Sequence, residues 1–453
     1  MFKTEPENNF FRTNQHLCSF SKDGSYLASA FQVNLMIKNT GTFDVFQSFV
    51  FADVIEYIEW SPDNEYVLCA NFKKAVIQIF SILYPEWKCK LIEGSIGLER
   101  VLWAPDSKHF LSLSDFNIQL SIWSLEDKEV RHIQNLKSSV KKQTNLQFSP
   151  DGNHLATVIT NDGLDYVGIY KTSNWKISRK LMCERLSSID GINWSPNGEL
   201  LCIWSSIISE SKLLIFSILS ESHVGAYCPE KRKESRNVRY GYTKHLKGID
   251  IVKWMPSGQF LAVAGFNELV VLINHITWQP ILQFNCNPVI NNNYHKVFNE
   301  CVIHVKDPSK TSSLSIKHVL EEVLDRPVNV PILKKDGKHE PQFTNLDILE
   351  FSASGRYLAL RHQVYPSALW IWDIISDCTD HLLLRNSISN IRWSGEEDRL
   401  MIFTETVHFF EWHPTNVACI STPRGIIVSD ARWHARGKIV ALCGYNKVAI
   451  YHV

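Results

Sequence analysis

Between positions 229 and 247 seven basic side chains, Lys231, Arg232, Lys233, Arg236, Arg239, Lys244 and Lys247, stand against Glu230 and Glu234, with Tyr240 and Tyr242 among them. Guanidinium and ammonium groups so spaced can neutralise phosphates while tyrosines stack on bases. The same charges can meet an acidic protein surface, such as a tubulin tail or an acidic helix. A solvated loop without a partner is the third reading. We take Lys231, Arg232, Lys233, Arg236 and Arg239 as a candidate partner-binding group. A second candidate is SLSIKHVLEEVL, where Ile316, Val319, Leu320, Val323 and Leu324 fall at i, i+3, i+4, i+7 and i+8, with Pro327 beyond them. That spacing predicts a short amphipathic helix near 313–324. Its Ile316, Leu320 and Val323 would dock a partner or pack on the rim of the fold.

Little else in the chain has the layout of a reaction centre. Phosphate cradles, the HExxH zinc signature and the G-x-S-x-G nucleophile elbow are missing. The 17 histidines are scattered singly, and none of the 11 cysteines forms a CxxC pair. The cysteines read as small buried hydrophobes in a reducing compartment. No catalytic residue, cofactor or metal site is expected, so a propeller enzyme would need polar groups converging from distant positions. The 47 basic and 47 acidic residues cancel, which disfavours a nucleic-acid binder or a membrane-surface protein. MFKTEPENNFF lacks the layout of a signal peptide, and no apolar run approaches a membrane span. The expectation is an intracellular protein.

The elements that must carry these segments are repeats. A phrase of the type INWSPNGELLCIW recurs, anchored by Phe20, Trp60, Trp103, Phe148, Trp194, Trp254, Phe351, Trp393 and Trp433. Six of the eight separations between anchors lie at 40–46 residues, close to the roughly 40–45 of a propeller blade. Each unit runs in one order. A short strand ends at the aromatic residue, and a Ser-Pro-Asx-Gly turn follows, in which Pro presets φ and Gly accepts φ > 0. A buried strand, an alternating third strand such as IQLSIWS, and a polar outer strand such as VRHIQNL complete it. Four short strands per unit make an antiparallel blade whose faces are covered only by neighbouring blades. The fold class is therefore all-β, one closed β-propeller over 1–453, with nine blades; seven blades plus two degenerate repeats is the competing count. The repeated aromatics are inter-blade core.

Two separations are long. The basic segment 229–247 is an insert in blade five, and 286–345 is an insert after blade six that holds the expected helix. The last unit ends at its third strand, KVAIYHV, while NFFRTNQ precedes the first unit without a blade of its own. NFFRTNQ is expected to supply the missing outer strand and to hide an edge that would invite aggregation.

The units resemble divergent WD repeats, although only IWD at Trp372–Asp373 carries the naming dipeptide and no Gly-His precedes the first strands. LYPEWKCKLIEGSIGL (83–98), INHITWQPILQF (273–284) and LWIWDI (369–374) resemble a eukaryotic family of centrosomal and spindle-pole WD-repeat proteins, whose mammalian member is encoded antisense to a tumour-suppressor-family gene. The resemblance covers nearly the whole chain. It implies a non-catalytic scaffold that binds a coiled-coil anchoring protein at centrosomes, centriolar satellites or spindle poles. It further implies work with γ-tubulin complexes and kinesin-14 to anchor microtubule minus ends, organise the mitotic spindle and support cilium assembly. The basic segment is not part of the matching motif. The alternative function is a nine-bladed translation initiation factor on the small ribosomal subunit, which zero net charge disfavours.

Overall fold

The computed structural model describes residues 10–94, 97–114, 119–137, 145–183, 185–220, 222–229, 245–306, 314–332 and 345–453. The chain forms two compact units, one of residues 1–204, 217–220 and 430–453, the other of 205–216 and 221–429. Its strands form nine blades, spanning 18–50, 57–92, 98–134, 146–182, 191–227, 251–285, 346–383, 390–421 and 428–452. The nine-blade count stands, and seven blades with two degenerate units does not. Seven blades are four-stranded meanders in chain order. All nine anchors lie at the last residue of a blade's first strand.

The repeated turn explains the repeated phrase. The hydroxyls of Ser21, Ser61, Ser149 and Ser195 donate to the side chains of Asp23, Asp63, Asp151 and Asn197 at 2.5–2.6 Å. The same oxygens accept the N–H groups of Tyr26, Tyr66, His154 and Leu200, five residues on, at 2.9–3.0 Å. The turn thus supplies its own polar partners where the chain reverses. The next position has positive φ, 74–76° at Gly24, Gly152 and Gly198. It stays positive at Asn64 (65°) and Ser107 (59°), where a Cβ is tolerated at some strain.

Between blades the strands bury apolar side chains face to face. In the first unit, Ala28, Leu35 and Ile37 of blade one pack with Val67, Cys69 and Phe80 of blade two. Leu111, Leu120 and Ile122 of blade three pack with Leu155 and Ile159 of blade four. In the second unit, Ala262, Val270 and Leu272 of blade six meet Leu358, Leu360 and Trp370 of blade seven. Each Val, Leu, Ile or Phe among them is removed from water, at roughly 1.5–3 kcal/mol apiece.

The last blade takes its fourth strand from the N-terminal segment. Phe10–Arg12 runs antiparallel to the final strand, with Phe10, Phe11 and Arg12 opposite Ala449, Val448 and Lys447. Phe10–Arg12 of NFFRTNQ therefore completes the last sheet, as its missing outer strand requires. Phe11 is buried with Cys18, Leu27, Cys443, Val448 and Ile450, so the last and first blades share a core. Lys38 Nζ lies 4.1 Å from the centre of the Phe11 ring.

Blade seven departs from the pattern. Its outer strand, Cys378–Leu383, is not the edge, because Lys296–Lys306 of the insert pairs with it in parallel. Leu314–Glu322 then pairs antiparallel with Lys296–Lys306, giving six strands. The helix expected near 313–324 is thus a correction: Leu314–Glu322 is a strand, and the described residues contain no α-helix. Ile316, Val319, Leu320 and Val323 keep a helical spacing and fall on both faces of the strand, so the open sheet edge beside them overrides the sequence pattern.

Candidate functional site

The sequence-derived candidates separate in the structure. Lys231, Arg232, Lys233, Arg236 and Arg239 lie outside the described residues. Lys247 is described and exposed, and its carbonyl accepts the Phe266 N–H at 2.7 Å. Ile316, Leu320 and Val323 do not share a docking face. Ile316 is 63% exposed. Leu320 packs against the core between blades seven and eight. Val323 packs on the core of blades six and seven, and its N–H donates to the Val297 carbonyl at 2.8 Å.

The anchors do more than fill space. The indole N–H of Trp60 donates to the Ser19 carbonyl at 2.9 Å. Trp103, Trp194 and Trp393 donate to the carbonyls of Glu59, Gln147 and Glu350 at 3.2 Å. In each case the acceptor is the residue just before the preceding blade's anchor, so one hydrogen bond repeats blade to blade. Sequence reading missed this bond; the signal was the preference for Trp over Phe at six of nine anchors.

Two surface features remain. On blades one and two, the segment that carries the family resemblance is exposed: Leu83, Tyr84, Trp87 and Ile92 face solvent, as do Val45, Phe46 and Val50 of the neighbouring outer strand. Gln47 Nε2 donates to the Ile82 carbonyl at 3.2 Å and joins the two edges. Trp87 is held by Tyr66, their ring centres 5.2 Å apart, and Phe46 by Tyr26 at 5.1 Å. Apolar side chains fixed in this way beside one another are what protein-binding surfaces present.

The second feature is a polar cluster under the insert hairpin. The pleat places Glu300, opposite Leu320, on the same face of the hairpin as His318. That face meets blade eight, where Leu320 joins Phe410 and Trp412 in one core. His318 Nδ1 is 2.6 Å from Glu300 Oε1, and His408 Nε2 of blade eight is 3.4 Å from the same oxygen. The two imidazoles stack with centres 4.1 Å apart. The Arg385 N–H donates to Glu300 Oε2 at 2.8 Å. Burial pushes the Glu300 carboxyl up, but the imidazoles and the Arg385 N–H together outweigh it and hold it at about 2. Burial, then the charge of Glu300, lifts the nearby Cys419 thiol to about 12. Sequence reading treated these histidines as isolated, because only the fold brings positions 300, 318 and 408 together.

A pocket lined by Leu102, Leu113, Leu146 and Val158 holds about 30 Å³, space of the order of one water. No family model matches the chain. It is 32% identical over 448 residues to WD repeat-containing protein WRAP73 of Mus musculus, covering 95% of this chain and 92% of that protein. An uncharacterized WD repeat-containing protein of Schizosaccharomyces pombe is 19% identical over 98% of this chain and 92% of its own length. Among solved structures, the C-terminal WD40 domain of Sif2 aligns with a TM-score of 0.51 at 11% identity, over 98% of this chain and 97% of that domain. That likeness shows the WD40 propeller fold.

Proposed function

Because the chain belongs to the family of WD repeat-containing proteins that includes mouse WRAP73, we infer that it is a non-catalytic scaffold whose partner is a coiled-coil anchoring protein at the centrosome or spindle pole. The complex would sit in the cytoplasm at centrosomes, centriolar satellites and spindle poles. There it would act with γ-tubulin complexes and kinesin-14 to anchor microtubule minus ends, organise the mitotic spindle and support cilium assembly.

The observation that carries this reading is the exposed apolar edge of blades one and two. Leu83, Tyr84 and Trp87 belong to LYPEWKCKLIEGSIGL, one of the stretches that carry the family resemblance, and they are left in water by the fold. A helix with an apolar stripe would cover such side chains, and aromatic anchors of this type dominate binding where they are covered. Substituting Tyr84→Glu and Trp87→Glu together should abolish capture of coiled-coil centrosomal proteins from dividing cells while leaving the circular dichroism spectrum unchanged. Proximity labelling with the intact chain that returns no centrosomal or γ-tubulin proteins would refute the reading.

A further inference from the structure

Glu300, His318 and His408 come from three strands, two in the insert hairpin and one in blade eight. Their ligand-type atoms all lie within 4.8 Å of one another. Glu300 is 1% exposed at its side chain and His408 6%. His408 Nε2 is buried and makes no hydrogen bond, for at 3.4 Å it is near Glu300 Oε1 without the alignment to donate to it. A buried imidazole nitrogen in ion-pair range of a carboxylate oxygen, yet without a hydrogen bond to it, calls for an explanation. A cation between the two groups supplies one, since both then offer lone pairs to the same centre.

We propose that Glu300, His318 and His408 form a divalent metal site of the zinc class, which clips the insert hairpin to blade eight. Two imidazole nitrogens and one carboxylate oxygen are the donor set that borderline divalent ions take. In a tetrahedral site with bonds of about 2 Å, ligand atoms stand about 3.3 Å apart. The His408–Glu300 separation of 3.4 Å already meets this, and the His318–Glu300 contact of 2.6 Å needs to open slightly. Glu300 is oriented from behind by the Arg385 N–H on its other oxygen, which leaves Oε1 to the ion. His318, at 28% side-chain exposure, is the solvent side of the cluster, where a water can take the fourth position. The hairpin also pairs edge to edge with blade seven, so the ion would add a second fastening, to blade eight.

The test uses the full chain, stripped with a chelator and titrated with Zn²⁺ alone by calorimetry, then with Co²⁺ by visible absorption. The site predicts one ion per chain, a higher melting temperature with Zn²⁺, and cobalt bands of a four-coordinate nitrogen–oxygen centre. Glu300→Gln and His408→Asn should each weaken Zn²⁺ binding at least tenfold. His318→Asn, at the most exposed of the three positions, should do the same and serves if either buried variant misfolds. An intact chain that binds no ion stoichiometrically overturns the site. So does an ion whose affinity is unchanged in His318→Asn, which would belong to other side chains. Loss of the ion in these variants with partner capture intact would leave the scaffold reading standing and the metal clip established separately.

Discussion

The seam of the last blade and the outer edge of blade seven both add strands from far along the chain, yet they do so for different reasons. At the seam, Phe10–Arg12 supplies a fourth strand that the last unit lacks, and three residue pairs suffice. Blade seven already has four strands, and Lys296–Asn299 adds four parallel pairs beyond them, opposite Asp380–Leu383. The seam strand is knitted at its end as well: Thr13 N–H donates to Asn446 O and Asn14 N–H to Ala30 O, at 3.1 and 2.8 Å. A strand that completes a blade seals a shared core. A strand that exceeds it builds a new edge, free to acquire a separate role.

If the seam is structural and the hairpin an addition, truncation should cost more at the seam. Phe11→Ala removes a buried ring between the last and first blades and should lower stability by about 3 kcal/mol in urea unfolding. Gly24→Ala should cost about 2 kcal/mol, since Gly24 has φ +76° and a Cβ would stand 2.5 Å from His434 Nε2 of the last blade. Gly163→Ala, at φ +79° with nothing within 4 Å, should cost only the backbone strain, and equal losses at the two glycines would remove the special standing of the seam. In the hairpin, Val297→Ala at a fully buried position should cost about 1–2 kcal/mol, while Ile316→Ser should stay within about 0.5 kcal/mol.

Acid should divide the two regions. His381 lies opposite Val297 at the joint of hairpin and blade, and burial, then the neighbouring His295, lowers its pKa from the usual 6.5 to about 3. His295 is also held low by burial, and its Nδ1 accepts the Thr379 N–H at 3.1 Å, which a proton there would break. Both are bases whose folded pKa is depressed. The unfolded chain therefore takes up protons first, and their support is full above about pH 6.5 and falls away toward pH 3. Hydrogen exchange should show faster opening of 296–299 at pH 5 than at pH 7, corrected for intrinsic rates, with 447–449 unchanged. Equal acceleration at both would contradict the assignment.

The blades were legible because each repeats its own local physics: an aromatic strand end, a turn that bonds itself, and an apolar strand. The seam was legible from a subtraction, a last unit one strand short and a leading segment without a blade. The hairpin was not. Ile316, Val319, Leu320 and Val323 have the spacing of a helix face, and the open edge of Cys378–Leu383 that overrides it lies far away in sequence. Glu300, His318 and His408 were hidden for the same reason, since their meeting depends on that strand pairing. The inter-blade indole bonds needed the register of neighbouring blades.

Hydrogen exchange on the full chain at neutral pH, read by mass spectrometry over 10–14 and 446–450, bears most directly on whether the N-terminal segment closes the last blade. Protection of 10–12 comparable with the inner strands of blade one is the outcome required. Exchange of 10–12 at the rate of an unstructured peptide, while 439–444 stays protected, would contradict it.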